Sequence, residues 1–228
     1  MTREWAADWL VLGTQPIGNM SFSYPVMLDL TQRHVAVFGG GAVAVRKVRA
    51  LRHAGVASIV VVSPDFHPDL PAEVRRLTDI YRPSHLEGID LALAVTNSTA
   101  VNDQIVRDCL DRRIWVNRAD TSADLPGDFV TPAQLQKGPV IVTVSAGSAS
   151  LTASIRDGLA DRWDDRWTVL AETMQKLRPL VVASAHLPPE RRSEILRRLA
   201  GDEALERLTR DGVEGFKTWA RELIGAVS

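Results

Sequence analysis

Residues 34–47 read HVAVFGGGAVAVRK, and this stretch decides the fold class. The run from His34 to Phe38 is typical of a short buried strand, and three glycines separate it from a helical pattern. The glycine segment has the G-x-G-x-x-G/A form of the dinucleotide-binding fingerprint, in which the N–H groups at the helix start face a pyrophosphate. The predicted cofactor contacts in this loop are Gly39, Gly40, Gly41, Ala42 and Val43.

The residues that follow complete a strand–helix–strand unit. A helix is predicted from about residue 42 to residue 53, with Val45, Val48 and Leu51 on one face and Gly55 just beyond its end. A second buried strand covers residues 58–64. The unit spans about thirty residues, the length that the fingerprint requires. This context favours a bound dinucleotide over a plain glycine turn.

The end of the second strand bears on the choice of cofactor. Ser63, Pro64 and Asp65 lie there, and no arginine or lysine follows until Arg75. An acidic residue at this point binds a ribose hydroxyl, whereas a basic cluster would bind a 2′-phosphate. The sequence therefore predicts NAD as the cofactor, with Asp65 either as the hydroxyl acceptor or as an ordinary turn residue.

A third apolar run, Leu91 to Thr96, predicts another strand that is buried on both faces of a parallel sheet. The next helix should cover about residues 100–112 and should be capped by Ser98 or Thr99. Ligands of open α/β sheets lie beyond the carboxyl ends of the strands. Thr96 and Asn97 are therefore predicted to line the cofactor crevice, the alternative being that they only cap and turn the chain.

The rest of the chain suggests a division into four parts. A short helix at residues 73–77 and a strand at 79–82 are predicted after the second strand, and β-rich patterns occur at 114–117 and 139–145. From residue 151 the pattern is helical. The expected parts are an N-terminal extension (1–23), a Rossmann NAD-binding domain (24–113), a small β-rich dimerisation segment (114–150) and a helical C-terminal domain (151–228). The predicted fold class is α/β.

Composition narrows the class of protein. The 228 residues carry a net charge of −1, which gives no electrostatic reason to expect nucleic acid or an anionic membrane as partner. No apolar run approaches the length of a membrane span, and the N-terminus lacks the basic start of a signal peptide. A single cysteine, Cys109, and five histidines without paired spacing predict no resident metal site. We expect a cytoplasmic protein.

Several short motifs occur in the order typical of one family. The string VAVFGGGAVAVRK is followed by Val-Ser-Pro-Asp at 62–65, by Ala-Val-Thr-Asn at 94–97 together with Asn102, and by Val-Asn-x-x-Asp at 116–120. Phe-Val-x-Pro-Ala at 129–133 and Val-Ser-x-Gly at 144–147 come next. Over about residues 24–160 the chain resembles the precorrin-2 dehydrogenase and sirohydrochlorin ferrochelatase family, which includes the N-terminal half of sirohaem synthases.

The resemblance implies NAD-dependent oxidation of precorrin-2 to sirohydrochlorin by a homodimer. Some members of the family also insert Fe²⁺ or Co²⁺ into the product. The family's key aspartate matches Asp120, which is expected to handle the proton; the alternative is that Asp120 only begins a turn. The tetrapyrrole is rich in carboxylates, so basic and polar residues should bind it. The candidates for substrate binding are Asn117, Arg118, Lys137, Ser145, Gly147 and Arg156.

The chain departs from the family pattern in the loop after the last strand. Ser148 stands where the family has a second glycine, Leu151 where it has proline and Ile155 where it has arginine. These changes motivate an alternative function, an NAD-binding regulatory or scaffold protein that has lost catalysis. Another Rossmann oxidoreductase is the second alternative, although no catalytic His, Lys or Tyr stands out after the cofactor domain.

Overall fold

The computed structural model describes residues 24–120 and 125–225. Contacts between Cα atoms divide the chain into two compact units, residues 1–131 and 132–228. The first unit thus extends past residue 113, where the sequence predicts the end of the nucleotide-binding domain. The reason is the strand Trp115–Arg118, whose residues pair with Leu91–Ala94 in the first sheet.

The first unit is built on a five-stranded parallel sheet. Its strands are β1 (His34–Phe38), β2 (Ser58–Val62), β3 (Arg75–Leu77), β4 (Leu91–Ala94) and β5 (Trp115–Arg118). Their spatial order is β3-β2-β1-β4-β5, with two helices, α1 (Ala42–His53) and α2 (Thr99–Arg112), in the connections. From β1 the chain builds the sheet first toward β3 on one side and then toward β5 on the other. The carboxyl end of β1 is therefore the switch point, where doubly wound sheets bind their ligands.

The apolar runs of the central strands explain the layering. Alternate side chains of β1 point to opposite faces of the sheet. Val35 and Val37 pack in one core cluster with Val45 and Val48 of α1. Ala36 and Phe38 belong to a second cluster, which contains Ile105, Val106 and Cys109 of α2. The central strands β1, β2 and β4 are therefore apolar at nearly every position, as the sequence shows.

Helix α2 begins and ends as its sequence predicts. The Ser98 side chain accepts a hydrogen bond from the N–H of Val101 at the start of the helix. Arg113 ends the helix in the left-handed region, at φ 58°. Burial raises the pKa of the Cys109 thiol to about 12, so this cysteine is a buried, unreactive side chain.

The segment between β2 and β4 differs from the prediction. Residues 75–77 form an edge strand instead of a helix, because they pair in parallel with Val60–Val62. Residues 79–82 form no strand. There the Asp79 carboxylate accepts hydrogen bonds from the Ile80 N–H and from Arg82, which holds the chain in a bend.

The second unit contains an antiparallel hairpin and four helices. The hairpin pairs β6 (Ala133–Lys137) with β7 (Val140–Val144). The helices are α3 (Ala149–Asp161), α4 (Asp165–Ala183), α5 (Pro189–Arg198) and α6 (Asp202–Ile224). Their core is made by α4, α5 and α6 around the buried Phe216, Leu199 and Ile195. Within the described residues no helix is long and apolar enough to cross a membrane.

Helix α3 stands apart from this core, since none of its residues is buried. Leu151, Ile155 and Leu159 recur every four residues and are each at least 40% exposed. Ile141 on β7 is also exposed. The second unit therefore presents an apolar helix stripe to its surroundings.

Candidate active site

The glycine loop follows β1 at the switch point of the sheet. The Gly39 N–H donates to the Val62 carbonyl at 2.9 Å, which holds the loop against the end of β2. Gly39 has φ +117°, and a Cβ placed there would lie 2.6 Å from the Val95 carbonyl oxygen. Only glycine fits a position that combines this dihedral angle with such close backbone contact.

The next two glycines differ in what surrounds them. A Cβ on Gly40 would lie 2.1 Å from the Asp65 carbonyl oxygen, because the loop after β2 packs on this residue. A Cβ on Gly41 would meet no atom within 4 Å. Gly41 is the N-cap of α1, and among residues 24–120 and 125–225 no side chain caps the start of that helix. The open face and the unpaired donors fit a pyrophosphate.

The loop after β2 borders the same glycines. Ser63 is only 8% exposed and lies against Gly40, whereas Pro64 and Asp65 are exposed. The fold also brings two arginines to this loop that are not adjacent to it in sequence. Arg76 lies over the Phe66 ring and donates to the Leu70 carbonyl, and Arg49 of α1 donates to the Asp69 carbonyl.

The end of β4 is fixed by a buried amide. Asn102 of α2 is fully buried, and its Oδ1 accepts from the Thr96 hydroxyl at 2.7 Å and from the Thr96 N–H at 3.2 Å. Thr96 thus has a definite structural task, which agrees with the turn interpretation. Asn97 is exposed beside it at the same edge of the sheet.

Asp120 lies two residues beyond β5, and in the part of the chain that the structure describes it accepts three side-chain hydrogen bonds. The Asn102 amide donates to Oδ2 at 3.1 Å, and Arg118 donates to Oδ2 from Nη2 at 3.0 Å and to Oδ1 from Nε. The Arg118 guanidinium, followed by Asn102, holds the pKa of Asp120 below its ordinary value. The carboxylate is therefore ionised at neutral pH and held in one orientation.

Two of the predicted substrate contacts, Asn117 and Arg118, lie buried within the first unit. Arg118 is 8% exposed and is paired with Asp120 and Asp103, so its charge is already compensated inside the protein. Asn117 is 2% exposed; its amide accepts from Lys47 at 2.9 Å and donates to the Phe129 carbonyl at 2.8 Å. Both side chains make their contacts within the first unit, which argues against a role for them in binding substrate carboxylates.

Lys47, the hydrogen-bond partner of Asn117, lies in α1, far from Asn117 in the sequence. Burial, with the nearby charge of Arg46, lowers the pKa of the Lys47 ammonium to about 8. Its Nζ also donates to the Thr131 hydroxyl. Lys47 thus ties α1 to the strand end and to the segment that closes the first unit.

The other predicted substrate residues lie in the second unit. Lys137 ends β6 and is half-buried, whereas Ser145 and Gly147 are exposed in the loop after β7, Gly147 having φ +68°. Arg156 on α3 pairs with its neighbour Asp157 at 2.6 Å. Ser148, in the altered loop, caps α3 by accepting from the Leu151 N–H at 3.2 Å.

Two residues near Asp120 received no role from the sequence. For Asn102 the sequence offers one signal. It lies four residues after the capping Ser98, in the first turns of α2, and on the face of the helix that is buried. Asp103 gives no such signal, because an acidic residue near a helix start is normally solvated. Among the described residues no group of His, Cys, Asp and Glu side chains is arranged to hold a metal ion.

The parallel sheet, the glycine loop at its switch point and the uncapped helix start define a dinucleotide-binding domain. Residues 26–133 match an NAD(P)-binding family model. This segment is thus a nicotinamide-dinucleotide-binding domain, as the sequence predicts.

The relatives identify the branch of this class more closely. The siroheme synthase of Methylobacillus flagellatus is 36% identical over 131 residues, which cover 55% of this chain and 27% of that protein. The siroheme synthase of Zymomonas mobilis is 31% identical over 164 residues, 69% of this chain and 34% of that protein. This chain therefore spans about a quarter to a third of the length of these curated relatives.

A solved structure supports the same relationship. "SirC, precorrin-2 dehydrogenase" superposes with a TM-score of 0.73 over 88% of this chain and 100% of that chain, at 24% sequence identity. At this identity the superposition shows a shared fold. The chain is a homologue of siroheme synthases with the fold of a precorrin-2 dehydrogenase, and the resemblance drawn from its motifs is confirmed.

Proposed function

We propose that this protein oxidises precorrin-2 to sirohydrochlorin, with a nicotinamide dinucleotide as hydride acceptor. The observation that carries the proposal is a continuous set of contacts from the glycine loop to Asp120. Gly39 packs on Val95, Thr96 is held by Asn102, and Asn102 donates to Asp120. The buried Asn102 amide thus holds both Thr96, which lies beside the proposed dinucleotide site, and Asp120, the one carboxylate predicted to act chemically.

The residues of this chain would divide the work in the following way. The helix start at Gly41 and the exposed Ala42 and Val43 hold the pyrophosphate, which fixes where the reacting ring lies. The bound cofactor supplies the hydride acceptor. Asp120, ionised and oriented, receives the proton that the substrate loses in the same oxidation. Its lowered pKa makes it a modest base, so orientation must contribute much of its effect.

We propose NAD as the preferred form of the cofactor, with Asp65 as acceptor for the adenosine ribose hydroxyl. The exposed Asp65 carboxylate at the end of β2 supports this preference. Arg49 and Arg76 near the same loop are the features that would favour NADP. Comparing kcat/KM for the two cofactors in wild type and in Asp65→Ala separates the alternatives, because loss of Asp65 should weaken NAD and spare NADP.

The substrate would be bound by basic and polar residues outside the dinucleotide loop. Lys137, Ser145, Gly147 and Arg156 remain the candidates, since Asn117 and Arg118 are consumed by internal contacts. Insertion of Fe²⁺ or Co²⁺ into sirohydrochlorin is proposed as a second activity, with Asp120 receiving pyrrole protons. In that reaction the metal is a substrate and needs no resident site.

We further propose that the protein works as a cytoplasmic homodimer. The edges of the β6–β7 hairpin and the exposed stripe of α3 support a two-fold interface, because unpaired strand edges and exposed apolar surface favour association with a second copy. The expected dimerisation segment, residues 114–150, then reduces to the hairpin and the residues around it.

A single assay tests the main proposal. Purified protein is mixed with precorrin-2 and NAD⁺, and absorbance follows both NADH formation and the appearance of sirohydrochlorin. Stoichiometric formation of both is expected, and Co²⁺ or Fe²⁺ added afterwards tests chelation. Tight NAD binding without any product would instead favour the regulatory or scaffold protein, and the altered loop at Ser148 would be the first place to seek the reason.

A further inference from the structure

Arg118 occupies an unusual position for a positive charge. Its side chain is 2% exposed, and its guanidinium lies between the end of β5 and the start of α2. Nη1 donates to Asp103 at 2.5 Å and to the Leu125 carbonyl at 3.1 Å, while Nη2 also donates to the Thr99 carbonyl at 3.5 Å. A guanidinium buried in this way is retained only where carboxylates compensate its charge.

The geometry toward Asp120 is two-pronged. Nε of Arg118 donates to one carboxylate oxygen and Nη2 to the other, the fork arrangement that fixes both the distance and the plane of a carboxylate. The Asn102 amide adds a third bond from α2. The Asp120 side chain is still 27% exposed, so one edge of this fixed carboxylate remains open.

Asp103 gives the arrangement a second carboxylate. It contacts the same guanidinium from α2 and is itself 27% exposed. Two negative charges therefore share one positive charge, and each is stabilised less than it would be in an isolated pair. Among the described residues, Asp103 and Asp120 are the charged side chains that contact Arg118, and Arg118 is the only charged one that contacts Asp120.

We propose that Arg118 and Asp103 form a positioning pair that orients Asp120 and sets the pH range in which Asp120 acts. The inference deepens the proposed function and rests on it. Arg118 holds the carboxylate in its ionised, oriented form, and Asp103 limits the strength of that hold. In this arrangement both residues act through Asp120 and not on the substrate or cofactor directly.

The test exploits two substitutions with opposite expected signs. Arg118→Met keeps the length of the side chain and removes the charge, so the pKa of Asp120 should rise and the acid limb of the kcat/KM profile should move to higher pH. Asp103→Asn leaves the whole charge of Arg118 to Asp120, so the acid limb should move to lower pH. Arg210→Met, which breaks an exposed arginine–aspartate pair in the second unit, should leave the limb unchanged.

A direct titration separates failure of this inference from failure of the proposed function. Carbon NMR of labelled aspartate follows the Asp120 carboxyl in the folded protein without any turnover, with Asp120→Asn identifying its signal. Opposite shifts in Arg118→Met and Asp103→Asn support the pair even if wild type proves inactive. Unchanged Asp120 titration in both variants, or shifts of the same sign, would overturn it. If Arg118→Met does not fold, Arg118→Lys keeps the charge but loses the fork, and a smaller upward shift is then expected.

Discussion

The two units of the chain differ in where they place side chains that are unfavourable in their surroundings. At the end of β5 in the first unit, Asn117, Arg118 and the neighbouring Asn102 are buried, and each polar group has a partner from the same unit. On α3 of the second unit, Leu151 and Ile155 are apolar and exposed. The buried polar side chains of the first unit are hydrogen-bonded within that unit. The exposed apolar side chains of α3 have no such burial within the second unit and could be covered by another molecule. Ligand chemistry is therefore expected in the first and association in the second.

The largest effect is expected at Gly41, where the first unit is open. Gly41→Asp should abolish NAD binding, because its negative charge would face the pyrophosphate. The fold should survive, since no atom of the described residues lies within 4 Å of the added Cβ and aspartate is a good N-cap. Calorimetric titration with NAD⁺ measures the loss.

Gly41→Asn is the matched control, being equal in size but neutral, and it should bind NAD more tightly than Gly41→Asp. Micromolar affinity in a folded Gly41→Asp variant would show that this loop does not contact the phosphates. A Gly40→Ala variant should fail in a different way, by unfolding the loop against Asp65.

The next largest effect is expected at Asp120. Asp120→Asn should lower turnover by about 10²- to 10⁴-fold, the range of a lost acid–base group, while NAD affinity stays near wild type. Arg118 would lose one of its two carboxylates, so the free energy of unfolding should also fall, by about 1–3 kcal/mol. Steady-state kinetics and denaturant unfolding measure the two effects separately.

Asp90→Asn provides a matched control for that experiment. Asp90 pairs with Arg33 and accepts from the His34 N–H at the opposite end of the same sheet. Its loss should lower stability and leave turnover unaltered. Full activity in Asp120→Asn would remove the proton-transfer assignment and leave Asp120 as a turn residue.

The exposed apolar face of α3 in the second unit can be tested directly for its proposed role in association. Ile155→Glu should shift the proposed homodimer toward monomer, raising its dissociation constant by about tenfold or more, since a charge would enter an apolar contact. Sedimentation velocity over a range of concentrations measures the change. Ile80→Glu, at an exposed apolar site of the first unit, should have no effect. A wild-type protein that is monomeric at every concentration would contradict the interface.

The smallest effect concerns Lys47 and is a dependence of stability on pH. The pKa of Lys47 is about 8 in the folded protein and near its ordinary value of 10.5 in the unfolded chain. Between these values the unfolded chain binds more protons, so the folded state gains stability as pH rises. The difference in unfolding free energy between wild type and Lys47→Met should therefore grow in favour of wild type from about pH 8 to about pH 10.5. If the difference in unfolding free energy does not depend on pH, the pKa of Lys47 is not lowered in the folded protein.

The sequence predicts the first unit well wherever one element decides its own structure. The apolar runs of β1 and β4, the glycine loop and the Ser98 cap are confirmed because each depends on local chemistry. The edge strand Arg75–Leu77 could not be predicted, since only its pairing with β2 makes it a strand. The family match identifies the candidate Asp120, but Asp103, the second carboxylate that contacts Arg118, lies fifteen residues earlier in the chain, on α2. Polar residues at a strand end look alike in sequence whether they face a ligand or each other.

The buried amide of Asn102 places a narrow limit on sequence change. Its oxygen must face Thr96, which donates, and its nitrogen must face Asp120, which accepts. Aspartate would set a second negative charge against Asp120, leucine would supply neither bond, and glutamine is longer by one methylene in a fully buried place. A library of all twenty residues at this position should return asparagine almost alone, while the exposed neighbours on α2 vary freely. Any redesign of the cofactor or substrate site has to be built around this one residue.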